Sequence, residues 1–430
     1  MFRFVLGEMK EWRNKEHHKP LILKGSRQVG KTWLMKEFSK EFDDSIYCNF
    51  ENMNQISSVF KTSLDPNVII ANLSLLFGKK IEVGKTLIIF DEIQECPEAL
   101  TSLKYFHEEL PGMDIVSAGS LLGTYLSEIS YPVGMVDIID VYPMTFEEFL
   151  IEVSPELADF YKSITADTVI PDAIHSRFLE VMDIYFIVGG MPEAVSIYSK
   201  NRNVNEVRYI ERTINEMTKN DMSKHNTKID AAKILEIYES LPSQLAKENR
   251  KFVFTAVRGS ARAREYGNSI IWLKEAGIVE QVFNVSKAYY PLEAYKDPME
   301  FKLYHYDIGL LTNIAAIDPS YIIQGIEFFF KGAIAENFVL LELRHNISEN
   351  VFYYSHNNNL EVDFLIQKPE GIIPIEVKSG MALKSASFST FMEKNGFDKG
   401  IKFSRMPILI RDSVVNIPLY LAGKADQLFR

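Results

Sequence analysis

The stretch G25-S-R-Q-V-G-K-T32 decides the reading of the first third of the chain. It fits the spacing G-x-x-x-x-G-K-[ST] at every fixed position. Gly25 and Gly30 let the backbone wrap closely around phosphate oxygens. Ser26, Arg27, Gln28 and Val29 supply the intervening N–H groups, and a helix starting near Lys31 turns its positive end toward the same anion. Lys31 is placed to reach the β- and γ-phosphates, and the Thr32 hydroxyl to ligate Mg²⁺. A chance match is expected in about one or two chains per hundred of this length. The context narrows that further, because apolar Pro20–Leu23 precedes the loop and helix-patterned Lys31–Phe42 follows it. ATP and Mg²⁺ are therefore the expected cofactors.

Working outward, T86-L-I-I-F-D-E92 reads as a buried strand ending in two acids. Asp91 is placed to hold the Mg²⁺ water shell, and Glu92 to orient and deprotonate an attacking water. Asp114–Ser117 reads as the next strand and runs into Ala118-Gly119-Ser120. A hydroxyl there suits sensing of the γ-phosphate; Ser120 is the candidate, Ser117 the alternative, and a simple helix cap the plain reading of either. Together with a strand at Ser45–Phe50 and a helix at Glu98–Leu110, the pattern predicts a parallel sheet covered on both faces.

Beyond Tyr142–Pro143 the pattern turns helical to about Lys224. Arg202, Arg208 and Arg212 fall there and read as solvated charges before they read as an arginine finger. Short helices at Ala231–Leu245 and Ala256–Gly277, then strands at Ile278–Tyr290 and Glu300–Tyr306, predict a winged helix-turn-helix. A helix at Lys331–Leu343 and strands at Val351–Tyr354, Leu360–Ile366 and Ile372–Lys378 return to mixed α/β. The expected division is 1–155 for the ATPase core, 156–228 for a helical lid or linker, 229–310 for the winged helix and 311–430 for the C-terminal domain.

Asp363 sits in the apolar run L-E-V-D-F-L-I, and after twelve intervening residues Glu376 opens E-V-K378 at the end of another. Residues two apart on a strand share a face, so Glu376 and Lys378 project together. A hairpin through Lys368–Gly371 would bring Asp363 beside them. Two carboxylates and a lysine on one face suit metal-assisted phosphodiester hydrolysis, with Glu336 on the preceding helix as a further ligand. Solvated strand charges are the plain alternative.

The 430 residues fit two to four domains at roughly 100–200 each. With 47% hydrophobic and 24% charged residues, the composition is that of an ordinary globular protein. Cys48 and Cys96 allow at most one bridge, which points to a reducing compartment. No apolar run is long enough for a signal peptide or a membrane span, so a cytoplasmic location without membrane contact is expected. The net charge of -11 weighs against a constitutively basic nucleic-acid binder. The charge is uneven, however. Leu245–Glu275 carries 7 basic and 3 acidic residues, and Arg258, Arg262 and Arg264 there suit phosphate contacts or domain packing equally. His17 and His18 read as solvated.

GSRQVGKT, IIFDEIQ, SAGS and VYPMTFEEFL resemble the AAA-type ATPase domain of a large prokaryotic group whose members carry a characteristic C-terminal domain of unknown function. GGMPEAV at Gly189–Val195, K302-L-Y-H-Y-D-I-G-L-L, G332-A-I-A-E-N-F-V, LEVDF and IEVKS are similar to the same group. The resemblance covers nearly the whole chain. It implies an α/β fold of the AAA+ class, ATP hydrolysis and assembly into a homo-oligomer. The order of helix, hairpin and E-x-K resembles the PD-(D/E)xK nuclease superfamily, the restriction-endonuclease-like fold, although Val362 stands where the name has proline. Two functions compete. One is an ATP-driven enzyme acting on DNA or RNA. The other is a nucleotide-gated switch whose C-terminal part binds a partner without cutting.

Overall fold

Five short strands, each followed or preceded by helix, build the first unit. In this computed structural model they are β1 (Leu21–Lys24), β2 (Asp44–Asn49), β3 (Thr86–Asp91), β4 (Ile115–Ala118) and β5 (Asp137–Asp140). All residues are described except 121, 123–133, 225, 349, 357–359, 382–385, 412 and 430, together with the side chains of residues 54 and 411. The chain divides into two compact units, essentially Arg3–Tyr142 and Pro143–Arg430.

The first sheet is all parallel, in the order β2-β3-β4-β1-β5. β3 is buried at all six positions, as a central strand covered on both faces must be. Ile22, Ile46, Ile88, Phe90 and Ile115 pack on Leu100, Leu103 and Phe106 of the helix Pro97–Glu109. Because β4 lies between β1 and β3, the carboxyl ends of the loop-bearing strand, the acid strand and the serine strand stand side by side. Ligands bind at such ends in open parallel sheets. β5 was not expected: its Asp-Ile-Ile-Asp run alternates exposure at a sheet edge and gives no apolar run. His18 corrects the solvated expectation. Its Nε2 lies 3.3 Å from Asp114 Oδ1, and its ring packs edge-on against Trp12.

The second unit contains helices to Lys224, as expected, and one eight-stranded sheet. Its strands are β6 (Val279–Val285), β7 (Lys296–His305), β8 (Val351–His356), β9 (Leu360–Lys368), β10 (Gly371–Val377), β11 (Gly400–Ser404), β12 (Leu409–Arg411) and β13 (Val414–Pro418), in the order β12-β13-β11-β10-β9-β8-β6-β7. The helices Lys228–Leu245, Phe254–Val257 and Ala263–Glu275 precede the β6–β7 hairpin. That hairpin is continuous with the rest of the sheet. β6 pairs with β8 in parallel through Phe283 and Asn284, so hydrogen bonding crosses the expected boundary at 310, and Pro143–Lys274 and Ile278–Arg430 fall in one unit.

Two segments without evident chemistry in the sequence prove to interlock. Met144 N donates to Gly190 O at 2.7 Å, and Tyr185 Oη donates to Met144 O. A Cβ at Gly190 would lie 2.1 Å from Met144 O. Gly190 N donates to Asp307 Oδ2, whose other oxygen caps the helix Ile308–Ile314. Thr145 and Glu148 form a capping box on the helix Phe146–Val153. The YPMTFEEFL, GGMPEAV and YDIGLL segments thus form one joint. Among the described residues no helix is long and apolar enough to cross a membrane, and both cysteines are free.

Candidate functional site: the nucleotide cradle and the C-terminal acid cluster

The glycine loop joins β1 to the helix Lys31–Phe38. Gly30 caps that helix at φ +96, in the left-handed region that glycine enters without steric cost. Gln28 also lies there, at φ +65. At Gly25 a Cβ would come within 2.1 Å of Val141 O, so the loop needs glycine where it passes β5. Arg3 braces the loop from the N-terminal side, donating to Val29 O at 2.9 Å and Tyr142 O at 2.7 Å. Lys31 folds back onto Gly25 O at 2.8 Å and Ser26 O at 2.7 Å. Burial pushes its amine down to about 8, although Glu92 and Asp91 oppose the shift.

Thr32 Oγ1 donates to Asp91 Oδ2 at 2.9 Å. A hydroxyl and a carboxylate in contact at the end of the loop are the hard oxygen donors that Mg²⁺ takes beside phosphate oxygens, so the residues fit the cofactor. Tyr47 Oη donates to the same Asp91 oxygen at 2.6 Å. Sequence reading missed Tyr47, because a tyrosine on a neighbouring strand carries no local motif.

Glu92 adopts φ +51, ψ +46, a conformation that costs a non-glycine residue about 1–2 kcal/mol. Its Oε2 accepts from Gln94 Nε2 at 2.7 Å and Ser120 N at 3.1 Å, and its Oε1 from Ser120 Oγ at 3.2 Å. Burial favours the neutral acid, but these hydrogen bonds and the Lys31 charge outweigh it and hold the carboxyl below its ordinary range. Ser117 is fully buried and donates to Leu21 O at 3.0 Å, so of the two serines only Ser120 meets Glu92.

Arg208 corrects the solvated expectation. Arg202 is exposed, as expected, and donates to Val153 O at 2.6 Å. Arg208 pairs with Glu211 and donates to Gly309 O, Thr312 Oγ1 and Ile317 O. Arg212 is exposed, as are Arg258, Arg262 and Arg264.

The C-terminal acids converge. β9 and β10 form the expected antiparallel hairpin, and Asp363 Oδ2 accepts from Val377 N at 2.7 Å. Lys378 Nζ lies 2.5 Å from Glu376 Oε1. Glu336, on the helix Lys331–Asn346, accepts from Lys302 Nζ at 3.1 Å and Tyr304 Oη at 2.9 Å through Oε1, and pairs with Arg250 at 2.6 Å through Oε2. Lys302 is 0% exposed and reaches Glu361 Oε1 at 2.8 Å as well. Burial raises Asp363 well above the usual carboxylate range, and Glu336 and Glu376 add to the effect. Glu336 is held low against its burial by Arg250 and Lys302. Arg250, Lys302, Tyr304 and Glu361 were missed. The spacing held a partial signal, because Lys302/Tyr304 and Glu361/Asp363 are i, i+2 pairs on single strand faces.

The order of β1, β3 and β4, the glycine cradle and the Thr32–Asp91 contact define a P-loop nucleotide-binding domain. Residues 17–150 match the AAA domain family model, and the Arg3–Tyr142 unit is an AAA-type ATPase domain. Residues 180–321 and 331–420 match two domains of unknown function, DUF8612 and DUF4143. No curated protein matches the chain. Among solved structures it is similar to the Walker-type ATPase PABY2304 of Pyrococcus abyssi, at 14% identity, over 73% of this chain and 96% of that one, with a TM-score of 0.46. The Aeropyrum pernix Orc1 protein in complex with DNA aligns at 14% identity, 74% and 94% coverage and a TM-score of 0.27. For C. elegans PCH-2 the values are 13%, 47%, 62% and 0.28. At these scores the likenesses carry no argument about this chain.

Proposed function

We propose that the chain is a Mg²⁺-dependent ATP hydrolase that works as a nucleotide-gated switch, its Pro143–Arg430 unit binding nucleic acid without cutting it. The observation that carries the reading is Glu92, held by Gln94 and Ser120 one residue beyond the Asp91–Thr32 contact. Thr32 and Asp91 would hold Mg²⁺, which would neutralise the charge that develops on the phosphates. The loop N–H groups and Lys31 orient the triphosphate, and Lys31 leaves its two carbonyls to do so. Glu92 takes the proton of the attacking water once Ser120 turns from it toward the γ-phosphate, so Ser120 couples nucleotide state to the base.

Arg258, Arg262 and Arg264, exposed at and before the start of the helix Ala263–Glu275, support phosphate contacts by the three helices and hairpin acting as a winged helix. A nuclease is the second reading, favoured by the convergence of Asp363, Glu376 and Lys378 on a helix–hairpin scaffold. The test incubates the protein with labelled duplex and single-stranded DNA and RNA, with ATP or ADP, and with supercoiled plasmid beside Asp363→Ala. Nucleotide-dependent anisotropy without nicking is expected. Nicking lost in Asp363→Ala would establish the nuclease, and absence of any nucleic-acid binding would overturn the proposed partner.

A further inference from the structure

The geometry points to a metal-free centre in the nuclease-like core: Arg250, Lys302, Lys378 and Lys402 stand in for the divalent cation beside Glu336, Glu361, Asp363 and Glu376, with Glu336, Glu361 and Glu376 ion-paired to them. This deepens the non-cleaving reading of the Pro143–Arg430 unit and rests on it.

Charge comes first. The four acids face four cations. Lys302 bridges Glu336 and Glu361, Arg250 takes the other Glu336 oxygen, and Lys378 takes Glu376. Lys402, 2% exposed, stands opposite Glu376 in the parallel β10–β11 register, where paired side chains share a face. The formal charges sum to zero. A divalent ion entering such a cluster gains no net attraction and meets four like charges in a medium of low dielectric.

Ligand supply comes second. Both oxygens of Glu336 are engaged, by Lys302 and Tyr304 on one side and Arg250 on the other. One Asp363 oxygen is taken by the Val377 amide. Among the described residues no group of three or more His, Cys, Asp or Glu side chains is arranged to hold a metal ion. For Glu336 to turn to a metal, Lys302 would have to leave it, and that side chain is wholly enclosed.

Origin comes third. Arg250 follows the helix Lys228–Leu245 and Lys302 lies on β7, both outside the helix–hairpin–strand core that carries the acids. They tie the hairpin of one segment to the acids of another. A buried charge pair of this kind specifies how segments assemble and is costly to break from one side alone.

The test uses the full, nucleotide-free chain. Mn²⁺ binding is followed by electron paramagnetic resonance in the wild type, Asp363→Asn and Glu376→Gln. Mn²⁺ held weakly at Asp91 is common to all three, so the expected isotherms superimpose. A Mn²⁺ site present in the wild type and lost in either variant would overturn the inference. Thermal unfolding of Lys302→Met, Glu336→Gln and the double variant supplies a second readout. Each single change is expected to lower the melting temperature by several degrees, and the double to recover part of the loss, because no buried charge is left alone. A Lys302→Met protein as stable as the wild type would overturn the inference equally. Nucleic-acid binding measured on the same wild-type preparation separates a failed partner assignment from a failed ion-pair centre.

Discussion

Replacing Glu92 with glutamine isolates the proton-accepting role from everything else the side chain does. Shape and backbone are kept, so the strain at φ +51 is common to both proteins and cancels. The amide oxygen still accepts from Ser120, but Gln94 Nε2 loses its carboxylate partner, now 2.7 Å away. That loss is worth about 1 kcal/mol at this half-buried site. What disappears outright is basicity, and a positioned general base contributes about 10²–10⁴-fold, or roughly 3–5 kcal/mol of barrier. Steady-state phosphate release should therefore fall by at least about a hundredfold. Removing a negative charge near the γ-phosphate position should leave nucleotide affinity equal or slightly tighter. Phosphate release and titration with a fluorescent ATP analogue read the two quantities separately. A glutamine variant turning over within threefold of the wild type would refute the assignment and place the base elsewhere.

Tyr47→Phe removes only the hydroxyl that holds Asp91 Oδ2. The Mg²⁺ concentration for half-maximal hydrolysis should rise by about tenfold, the usual least cost of losing a hydrogen-bonded support to a metal ligand, while binding of ATP in excess chelator stays unchanged. The Lys31 amine lies near 8 in the nucleotide-free protein, and the bound phosphates require it protonated. ATP affinity should hold below pH 8 and fall above it by up to about tenfold per pH unit, a decline that calorimetry should not find in Lys31→Met. Gly190→Ala places a methyl 2.1 Å from Met144 O. Backbone cannot yield cheaply there, so chemical denaturation should report a loss of about 2 kcal/mol or more.

The nucleotide site was legible because its chemistry is local. Eight consecutive residues make the cradle, and Asp91 and Glu92 end one apolar strand, so motif and strand period point to the same place. Which of Ser117 and Ser120 meets Glu92 is visible only in the contacts, since either serine suits a strand end. Of the C-terminal acids, Glu376 was legible because it lies on a strand with Lys378 two residues away, and Asp363 because a short hairpin joins its strand to that one. Their counter-ions were not. Arg250 and Lys302 lie 86 and 34 residues before Glu336 in sequence, and a buried cation leaves no periodic mark until its acid is known. The place of β6 beside β8 was equally hidden, because two paired residues far apart in the chain set it. His18 looked solvated for want of knowledge of Asp114, nearly a hundred residues on.

The central claim is that the loop from Gly25 to Thr32 binds ATP. Calorimetric titration of the wild type and Lys31→Ala with ATP and Mg²⁺ tests it most directly. The account predicts saturable binding at one nucleotide per chain in the wild type, and a loss of about tenfold or more in the variant, the least cost of removing a charged hydrogen bond to phosphate. A wild-type protein that takes up no nucleotide, or a Lys31→Ala protein that binds it equally well, would contradict the account.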